Sequence, residues 1–208
     1  TRCSHVTGVQ TCALPIYKME VEKGYSINTA VVPVVWKNSK INFVDTPGYF
    51  DFIGEVNAAL RACESAIILV DAGAGIQVGT EQAWKACERY KMPRFIVINK
   101  RDKDEFDFYK TFNELKDKFG EHLIPFSWPI TTDIDEELKE AIAMTDDELM
   151  EKYFNGDDFS EEEIKKGLKA GIADGAIVPV LSSAFSIGQG SEDRKSTRLN
   201  SSHMTASR

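Results

Sequence analysis

Two short polar segments carry residue types that could hold a nucleotide and a metal ion. The first, Asp45-Thr46-Pro47-Gly48, directly follows the apolar residues Phe43 and Val44. A carboxylate at the end of a buried strand can hold Mg²⁺ directly or through water, so Asp45 is a candidate metal ligand. Gly48 would let its backbone N–H approach a γ-phosphate, because glycine places no side chain in the way. The segment therefore predicts a phosphate and magnesium site.

The second segment, Asn99-Lys100-Arg101-Asp102, follows the apolar run Phe95 to Ile98. Asn99 could bond the N7 and O6 side of a purine and brace the loop, and the Lys100 stem could cover the face of the base. Asp102 could accept hydrogen bonds from N1–H and the 2-amino group of guanine. Adenine lacks those donors and would leave the carboxylate unpaired, so the segment predicts selectivity for guanine.

A third loop follows the last apolar run of the chain. Ser183 and Ala184 stand directly after it and could present backbone N–H groups to the guanine oxygen. Taken singly, DTPG is also an ordinary turn and NKxD an ordinary polar loop. Their conjunction, each directly after a buried strand, predicts a protein that binds GTP or GDP together with Mg²⁺.

The elements that must position these loops alternate along the chain. Short, nearly continuous apolar runs predict strands that are covered on both faces, and apolar residues at helical spacing separate them. This alternation predicts an α/β fold with a mostly parallel, doubly wound sheet, in which ligands bind beyond the carboxyl ends of the strands. The predicted strands are Lys40 to Val44, Ala66 to Val70, Phe95 to Ile98 and Ile177 to Leu181, and the predicted helices lie near residues 52–63, 83–90 and 108–119.

Finer expectations concern the two ends of this framework. Residues Ala30 to Trp36 and Ile41 to Val44 predict an antiparallel hairpin, and Pro179 inside the last run predicts an edge strand. Residues 133–175 are acidic and predict helices, with Ile164, Leu168 and Ile172 as one buried stripe. Two capping boxes are expected to open helices there, at Thr145 to Glu148 and at Ser160 to Glu163.

The first and last sixteen residues match each other in a way that folding does not require. They can be encoded by the two complementary strands of one DNA sequence, and they resemble translations of a sequencing adapter. We therefore interpret residues 1–16 and 193–208 as non-native flanks and exclude them from fold reasoning. Residues 17–192 are then expected to form one partial domain, in which residues 133–175 are the remnant of a helical insertion.

Composition limits the classes of partner. The whole chain has a net charge of −8, and the flanks hold five of its 25 basic residues but one of its 33 acidic residues. Such an acidic body does not predict general nucleic-acid binding, which depends on clustered Lys and Arg. Cys63 and Cys87 lack paired spacing, which favours a reducing, cytoplasmic setting. No apolar run approaches the ~20 residues that a membrane span needs.

Through nearly all of residues 17–192, the chain resembles the translational GTPases, and elongation factor G and its paralogues most closely. Lys23 to Ile27 matches the end of the family's switch I, and Ser26 stands where a Thr normally ligates magnesium. Asp45 to Gly48 matches switch II, and Asn99 to Asp102 matches the base-specificity loop. Ser183 and Ala184 match the last nucleotide loop, and residues 146–153 resemble the helical part of an insertion typical of elongation factor G.

This resemblance implies a P-loop NTPase (Ras-like) G domain that binds GTP or GDP with Mg²⁺. It also implies GTP hydrolysis on the ribosome, driving the movement of tRNA and mRNA during elongation. The expected metal ligands are Ser26 and Asp45. We expect a cytoplasmic protein that acts as a monomer and does not contact a membrane.

Three departures from the family pattern affect this expectation. The printed chain contains no GxxxxGK[ST] loop and no strand preceding it, which predicts weak GTP binding and no activity for the chain as it stands. The family's inserted subdomain is shortened after Ile130. The family also continues DTPG with a His that orients the attacking water, and Tyr49 occupies that position here. A phenol with a pKa of about 10 can hold a water but cannot take on positive charge as an imidazole does.

Four interpretations therefore stay open on the sequence alone. The chain is part of a GTP-hydrolysing elongation factor paralogue, or part of a GTP-binding switch that hydrolyses slowly, which Tyr49 favours. It is part of a ribosomal protection protein, which shares the fold and most of the motifs. The fourth interpretation is an inactive assembly fragment.

Overall fold

The computed structural model describes residues 17–36, 39–99, 107–126 and 134–182, and the chain divides into two compact units. Of the described residues, those up to Ala66 form the amino-terminal unit, and those from Ile67 onward form the sheet unit. The elements are α1 (Lys18–Lys23), β1 (Ala30–Trp36), β2 (Ser39–Asp45), a 3-10 turn (Phe50–Phe52), α2 (Ile53–Ala62), β3 (Ala66–Asp71), α3 (Val78–Arg89), β4 (Arg94–Asn99), α4 (Phe108–Phe119), β5 (Leu123–Pro125), α5 (Glu136–Ala143), α6 (Asp147–Asn155), α7 (Glu161–Asp174) and β6 (Val178–Ser182).

The amino-terminal unit contains the predicted hairpin. Strands β1 and β2 pair antiparallel, from Ala30 opposite Asp45 to Trp36 opposite Ser39, which confirms the hairpin prediction. After β2 the chain passes through residues 46–48 and the 3-10 turn into α2, the first of the predicted helices. Because the hairpin register places Asp45 at the open end of the ladder, the DTPG segment leaves the sheet directly after its first residue.

The sheet unit is built around four strands in the order β3-β4-β6-β5. Strand β6 pairs parallel with β4 on one side and with β5 on the other. Its central residues are fully buried, as are Ile96 and Ile98 of β4 and Val70 of β3. Burial on both faces explains why β4 and β6 are continuous apolar runs. The α/β prediction with a parallel sheet is confirmed.

The prediction that Pro179 marks an edge strand is wrong, since β6 is an inner strand. Towards β5, the Val178 N–H donates to the His122 carbonyl at 2.8 Å and the Phe126 N–H donates to the Val180 carbonyl at 2.9 Å. Pairing with β4 begins only at Val180. Pro179 lies opposite Ile124 in the β5 ladder, but the bonds to β5 are made by Val178 and Val180, so its missing N–H leaves both ladders intact.

Strand β5 has only three residues, Leu123–Pro125, and was not predicted. Three residues are too few for strand periodicity to appear in the sequence. The strand nevertheless has a structural role, because Leu123 and Ile124 are buried. Ile124 also packs into the apolar cluster that holds helices α5, α6 and α7.

One of the two predicted capping boxes is confirmed. The Ser160 hydroxyl accepts from the Glu163 N–H at 3.3 Å, and the Glu163 carboxylate accepts from the Ser160 N–H at 2.9 Å. The box at Thr145 is wrong, because Asp146 is the residue that caps α6, accepting from the Glu148 N–H at 3.0 Å. Thr145 instead donates its hydroxyl to the Ile142 carbonyl at 2.7 Å and closes the end of α5.

Helix α7 packs its predicted apolar stripe inwards, with Ile164 and Leu168 buried and Ile172 partly buried. The same helix carries two buried glycines, Gly167 and Gly171, one turn apart. A Cβ on Gly171 would lie 2.6 Å from the Ile177 Cδ1 and 2.8 Å from its Cγ1. Since Ile177 is fully buried just before β6, α7 can approach the sheet this closely only with glycine at that position.

We therefore expect Gly171→Ala to lower the free energy of unfolding, because overpacking costs about 1–3 kcal/mol in a filled core. Gly79→Ala is the matched control, since a Cβ at that position of α3 meets no atom within 4 Å. There alanine should raise stability by up to about 1 kcal/mol through its higher helix propensity. Urea unfolding of both variants measures the difference. Equal stabilisation by the two changes would contradict the close packing of α7.

Candidate functional site

The amino-terminal unit brings two of the predicted metal ligands together. Asp45 is the last residue of β2, and Ser26 lies in the loop of residues 24–29 between α1 and β1. The Ser26 hydroxyl lies beside the Asp45 carboxylate, close enough to lower the pKa of that group. Residues from separate parts of the chain therefore form one polar pair at the end of a strand.

The carboxylate of Asp45 lies in an unfavourable environment for a negative charge. Although much of the residue is exposed, the protein atoms around the carboxylate remove water from it and raise its pKa above the usual 3.8. The negative charge of Glu20 raises the pKa further, and the neighbouring Ser26 hydroxyl opposes both effects. A cation beside Asp45 would relieve this repulsion.

The donor set at this position fits a magnesium ion. Mg²⁺ prefers hard oxygen ligands and usually keeps several waters, so one or two protein ligands suffice. Ser26 and Asp45 supply a hydroxyl and a carboxylate side by side. The described residues contain no group of three or more His, Cys, Asp or Glu side chains that could enclose a metal ion by themselves. Two protein oxygens would leave the other coordination positions of such an ion to water or ligand oxygens.

The remainder of the DTPG segment follows this pair. Pro47 is buried and Thr46 is half-buried, whereas Gly48 is exposed. A Cβ added to Gly48 would meet no protein atom within 4 Å. The protein itself therefore does not require glycine there, which leaves space for a ligand to approach the backbone N–H.

Tyr49 lies at the start of the 3-10 turn, and the residue is 55% exposed. The ring contacts Tyr25 of the loop 24–29, with centroids 4.6 Å apart and planes inclined by 54°. The ring of Tyr49 therefore lies beside the loop that carries Ser26.

In the sheet unit, the predicted base-binding residues begin at strand ends. Asn99 is the last residue of β4, and Ser182 is the last residue of β6. The register places Ile98 opposite Ser182, so the chains leave these parallel strands at neighbouring points. Of the other predicted residues, Lys100, Asp102, Ser183 and Ala184 lie outside the described residues.

A loop that the sequence reasoning did not include joins this group. After β3, residues 71–75 form a tight turn in which the Gly73 N–H donates to the Asp71 Oδ1 at 2.9 Å. The N–H of Ala72 donates to the Asn99 carbonyl, also at 2.9 Å. This bond fixes the backbone where the predicted guanine loop begins. The glycine-rich string Asp71-Ala72-Gly73-Ala74-Gly75 was the available signal for a turn there.

Comparison with known proteins identifies the domain. The profile of the family described as Elongation factor Tu GTP binding domain matches residues 5–192. The chain belongs to this family.

Two relatives show the level of similarity to this GTP-binding domain. The elongation factor G of Thermotoga maritima is 33% identical over 211 aligned positions, covering 82% of this chain and 30% of that protein. A crystal structure of a Thermus thermophilus protein superposes with a TM-score of 0.71 at 27% identity. That alignment covers 81% of this chain and 31% of the other. The domain thus spans about a third of the length of these relatives.

These findings agree with the geometry of the sheet unit and the hairpin. The domain is a G domain of the translation elongation factor type, similar to that of elongation factor G, with the P-loop GTPase fold. Membership implies guanine nucleotide binding and, in the family, GTP hydrolysis. Within the described part of the GTP-binding domain, no helix combines the length and apolar character needed to cross a membrane.

Asp45 provides a test of the electrostatics of this site. We expect Asp45→Asn to raise the free energy of unfolding at pH 7, because it removes a desolvated charge that lies near Glu20. A raised pKa means that the folded state binds a proton more tightly than the unfolded state. The destabilising effect is therefore full above the folded pKa, and it disappears as the pH falls towards 3.8.

Urea unfolding at pH 7 and pH 4 measures this effect, and the gain should shrink at the lower pH. Asp51→Asn is the control, since Asp51 is an exposed residue of the neighbouring 3-10 turn and should change stability little. A loss of stability in Asp45→Asn at pH 7 would mean that the interaction with Ser26 outweighs the desolvation of the carboxylate.

Proposed function

We propose that this chain is the guanine-nucleotide-binding part of a translation factor that hydrolyses GTP on the ribosome in the cytoplasm, driving translocation. The observation that supports this function is the placement of the Ser26 hydroxyl beside the Asp45 carboxylate, at the end of β2. The membership of the chain in an elongation factor family gives the reaction class. Residues 17–192 are the proposed domain, and residues 1–16 and 193–208 are proposed to be flanks foreign to it. We further propose that the domain acts as a monomer.

On the phosphate side, Ser26 and Asp45 would hold Mg²⁺, which when bound offsets the negative charge of the phosphate oxygens. The protein's own contribution is to present both oxygens in a fixed pair. Thr46 and Pro47 would shape the turn, and the exposed Gly48 N–H would donate to the γ-phosphate. Such a backbone donor stabilises charge without reorganising during the reaction.

On the base side, Asn99 and Asp102 would read guanine, and the Lys100 stem would cover the ring. The backbone N–H groups of Ser183 and Ala184 would donate to the guanine oxygen. Support comes from the placement of Asn99 at the end of an inner strand, where the Ala72 N–H holds its carbonyl. A loop that begins at a fixed point can select between bases.

A second candidate function is a GTP-binding switch that hydrolyses slowly. Tyr49 occupies the position of the family's water-orienting His, and its ring contacts Tyr25. The phenol can hold a water by hydrogen bonding, but it has no basic nitrogen to accept a proton near neutral pH. The ring contact favours this candidate, because it occupies the side chain with a packing partner.

The first functional prediction concerns Asp102, the residue proposed to recognise the guanine base. In a protein that carries residues 17–192 behind a GxxxxGK[ST] loop, Asp102→Asn should shift preference from guanine towards xanthine. Xanthine carries a carbonyl where guanine carries the 2-amino group, so an amide donor would suit it better than a carboxylate. Competition between GTP and XTP in equilibrium binding with Mg²⁺ measures the change.

Asp107→Asn is the matched control for this test. Asp107 caps α4 by accepting from the Tyr109 N–H at 2.9 Å, and asparagine keeps that acceptor, so the change should alter neither the preferred base nor, by much, the stability. If Asp102→Asn still preferred GTP over XTP to the same degree, Asp102 would not be the base reader.

The second functional prediction concerns Tyr49. In the same longer protein, ribosome-stimulated hydrolysis should be slow, and Tyr49→His should accelerate it with little change in GTP affinity. The side chain acts on the attacking water and not on the bound nucleotide. Groups that orient water or transfer protons typically contribute about a hundredfold to ten-thousandfold to the rate. Single-turnover hydrolysis on ribosomes measures the gain.

Tyr49→Phe provides the control for Tyr49→His, because it keeps a ring beside Tyr25 and removes only the hydroxyl. We expect it to hydrolyse GTP no faster than the parent. An equal rate in all three proteins would show that the whole loop, and not one side chain, limits hydrolysis.

A further inference from the structure

We propose that Glu20 and Glu55 are positioning residues, which hold the loop 24–29 from two sides so that Ser26 stays beside Asp45. The inference rests on the proposed role of Ser26 as a metal ligand. It assigns a function to two carboxylates that lie outside the motifs of the nucleotide site.

Glu20 holds the loop from the side of α1. Its Oε1 accepts the N–H groups of Ile27 at 2.8 Å and Asn28 at 2.9 Å, and its Oε2 accepts the Tyr17 N–H at 3.2 Å. The residue is only 2% exposed. A buried carboxylate is costly unless it is hydrogen-bonded, and these donors supply that compensation.

The side chain of Glu20 is not needed to end its own helix. Helix α1 ends at Gly24, whose φ of 77° is in the left-handed region. The Gly24 N–H donates to the main-chain carbonyl of Glu20 at 2.8 Å. Because the backbone completes this cap, the bonds of the carboxylate to Ile27 and Asn28 serve the loop and not the helix terminus.

Glu55 holds the next residue of the loop from the side of α2. Its Oε2 accepts the Thr29 N–H at 2.9 Å, and this hydrogen bond lowers the pKa of the carboxyl group. Three consecutive backbone N–H groups, at positions 27, 28 and 29, thus donate to carboxylates from two different helices. Helix α2 follows the DTPG segment, so Glu55 couples the helix after that segment to the loop that carries Ser26.

Amide hydrogen exchange on the full chain tests the positioning directly. Glu20→Ala should accelerate exchange at Ile27 and Asn28, and Glu55→Ala should do so at Thr29, each by about tenfold or more. Glu22→Ala, which removes an exposed carboxylate of α1, is the matched control and should leave all three amides unchanged. Amides of the β1–β2 hairpin report that the unit stays folded.

Conservative variants separate positioning from charge. Glutamine keeps a carbonyl acceptor, so Glu20→Gln and Glu55→Gln should restore most of the protection that alanine removes. Unchanged exchange at positions 27–29 in both alanine variants, with the hairpin protected, would overturn the proposal. A loss of hairpin protection in an alanine variant, together with normal protection of positions 27–29 in the glutamine variant, would support it.

Paramagnetic line broadening by Mn²⁺, used as the probe for a hard divalent cation, tests the metal role separately. In the parent chain it should broaden the amide signals of Ser26 and Asp45 together. In both alanine variants the broadening at Ser26 should fall severalfold more than that at Asp45, and glutamine should restore it. If the broadening fell equally at Ser26 and Asp45, the positioning proposal would be overturned, because holding the loop would then have no effect specific to Ser26. No broadening in the parent chain would refute the proposed metal role, while the exchange results would still decide the positioning.

Discussion

The arrangement of the amino-terminal unit depends on how it tolerates carboxylates that are partly or wholly removed from water. Asp45 ends a strand where burial and the charge of Glu20 both disfavour its ionised form, and only the Ser26 hydroxyl opposes them. Glu20 is itself buried and is stabilised by backbone N–H donors. A site built for a cation accepts such repulsion in its absence, because the same negative charges strengthen binding when the cation arrives. The same negative charges therefore destabilise this part of the fold and would favour the proposed binding of a cation.

Burial also explains where the candidate residues stand. Strands β3, β4 and β6 are apolar through their middle and end on Asp71, Asn99 and Ser182 respectively. A polar side chain is tolerated only where the strand leaves the core, so chemistry collects at strand ends. The ends of β3 and β4 are also joined to each other, because the Ala72 N–H after β3 donates to the carbonyl of Asn99, the last residue of β4.

Burial determines how much of the fold could be predicted from the sequence. The long apolar runs and the hairpin were predictable, because burial alone determines their pattern. Pro179 misled the prediction, since its effect depends on which side of the strand each hydrogen bond leaves. The cap of α6 was displaced by one residue because Thr145 and Asp146 both favour that role, and the roles of Glu20 and Glu55 appear only once the chain has folded. Local sequence patterns predict helices and strands. Contacts formed on folding determine which of several suitable side chains makes a given cap or hydrogen bond.

The contact between Tyr25 and Tyr49 shows why this distinction matters for catalysis. Read alone, Tyr49 is a substitution at a water-orienting position, and Tyr25 is an ordinary residue of the switch I segment. In the structure the two rings lie 4.6 Å apart, and a pair of this kind contributes about 0.5–1.5 kcal/mol beyond its buried area. The aromatic contact therefore joins the DTPG segment to the same loop that Glu20 and Glu55 hold through its backbone. The orientation of Tyr49 and the placement of Ser26 are thus linked, so a change at either tyrosine would act on the proposed metal ligand as well as on the segment after β2.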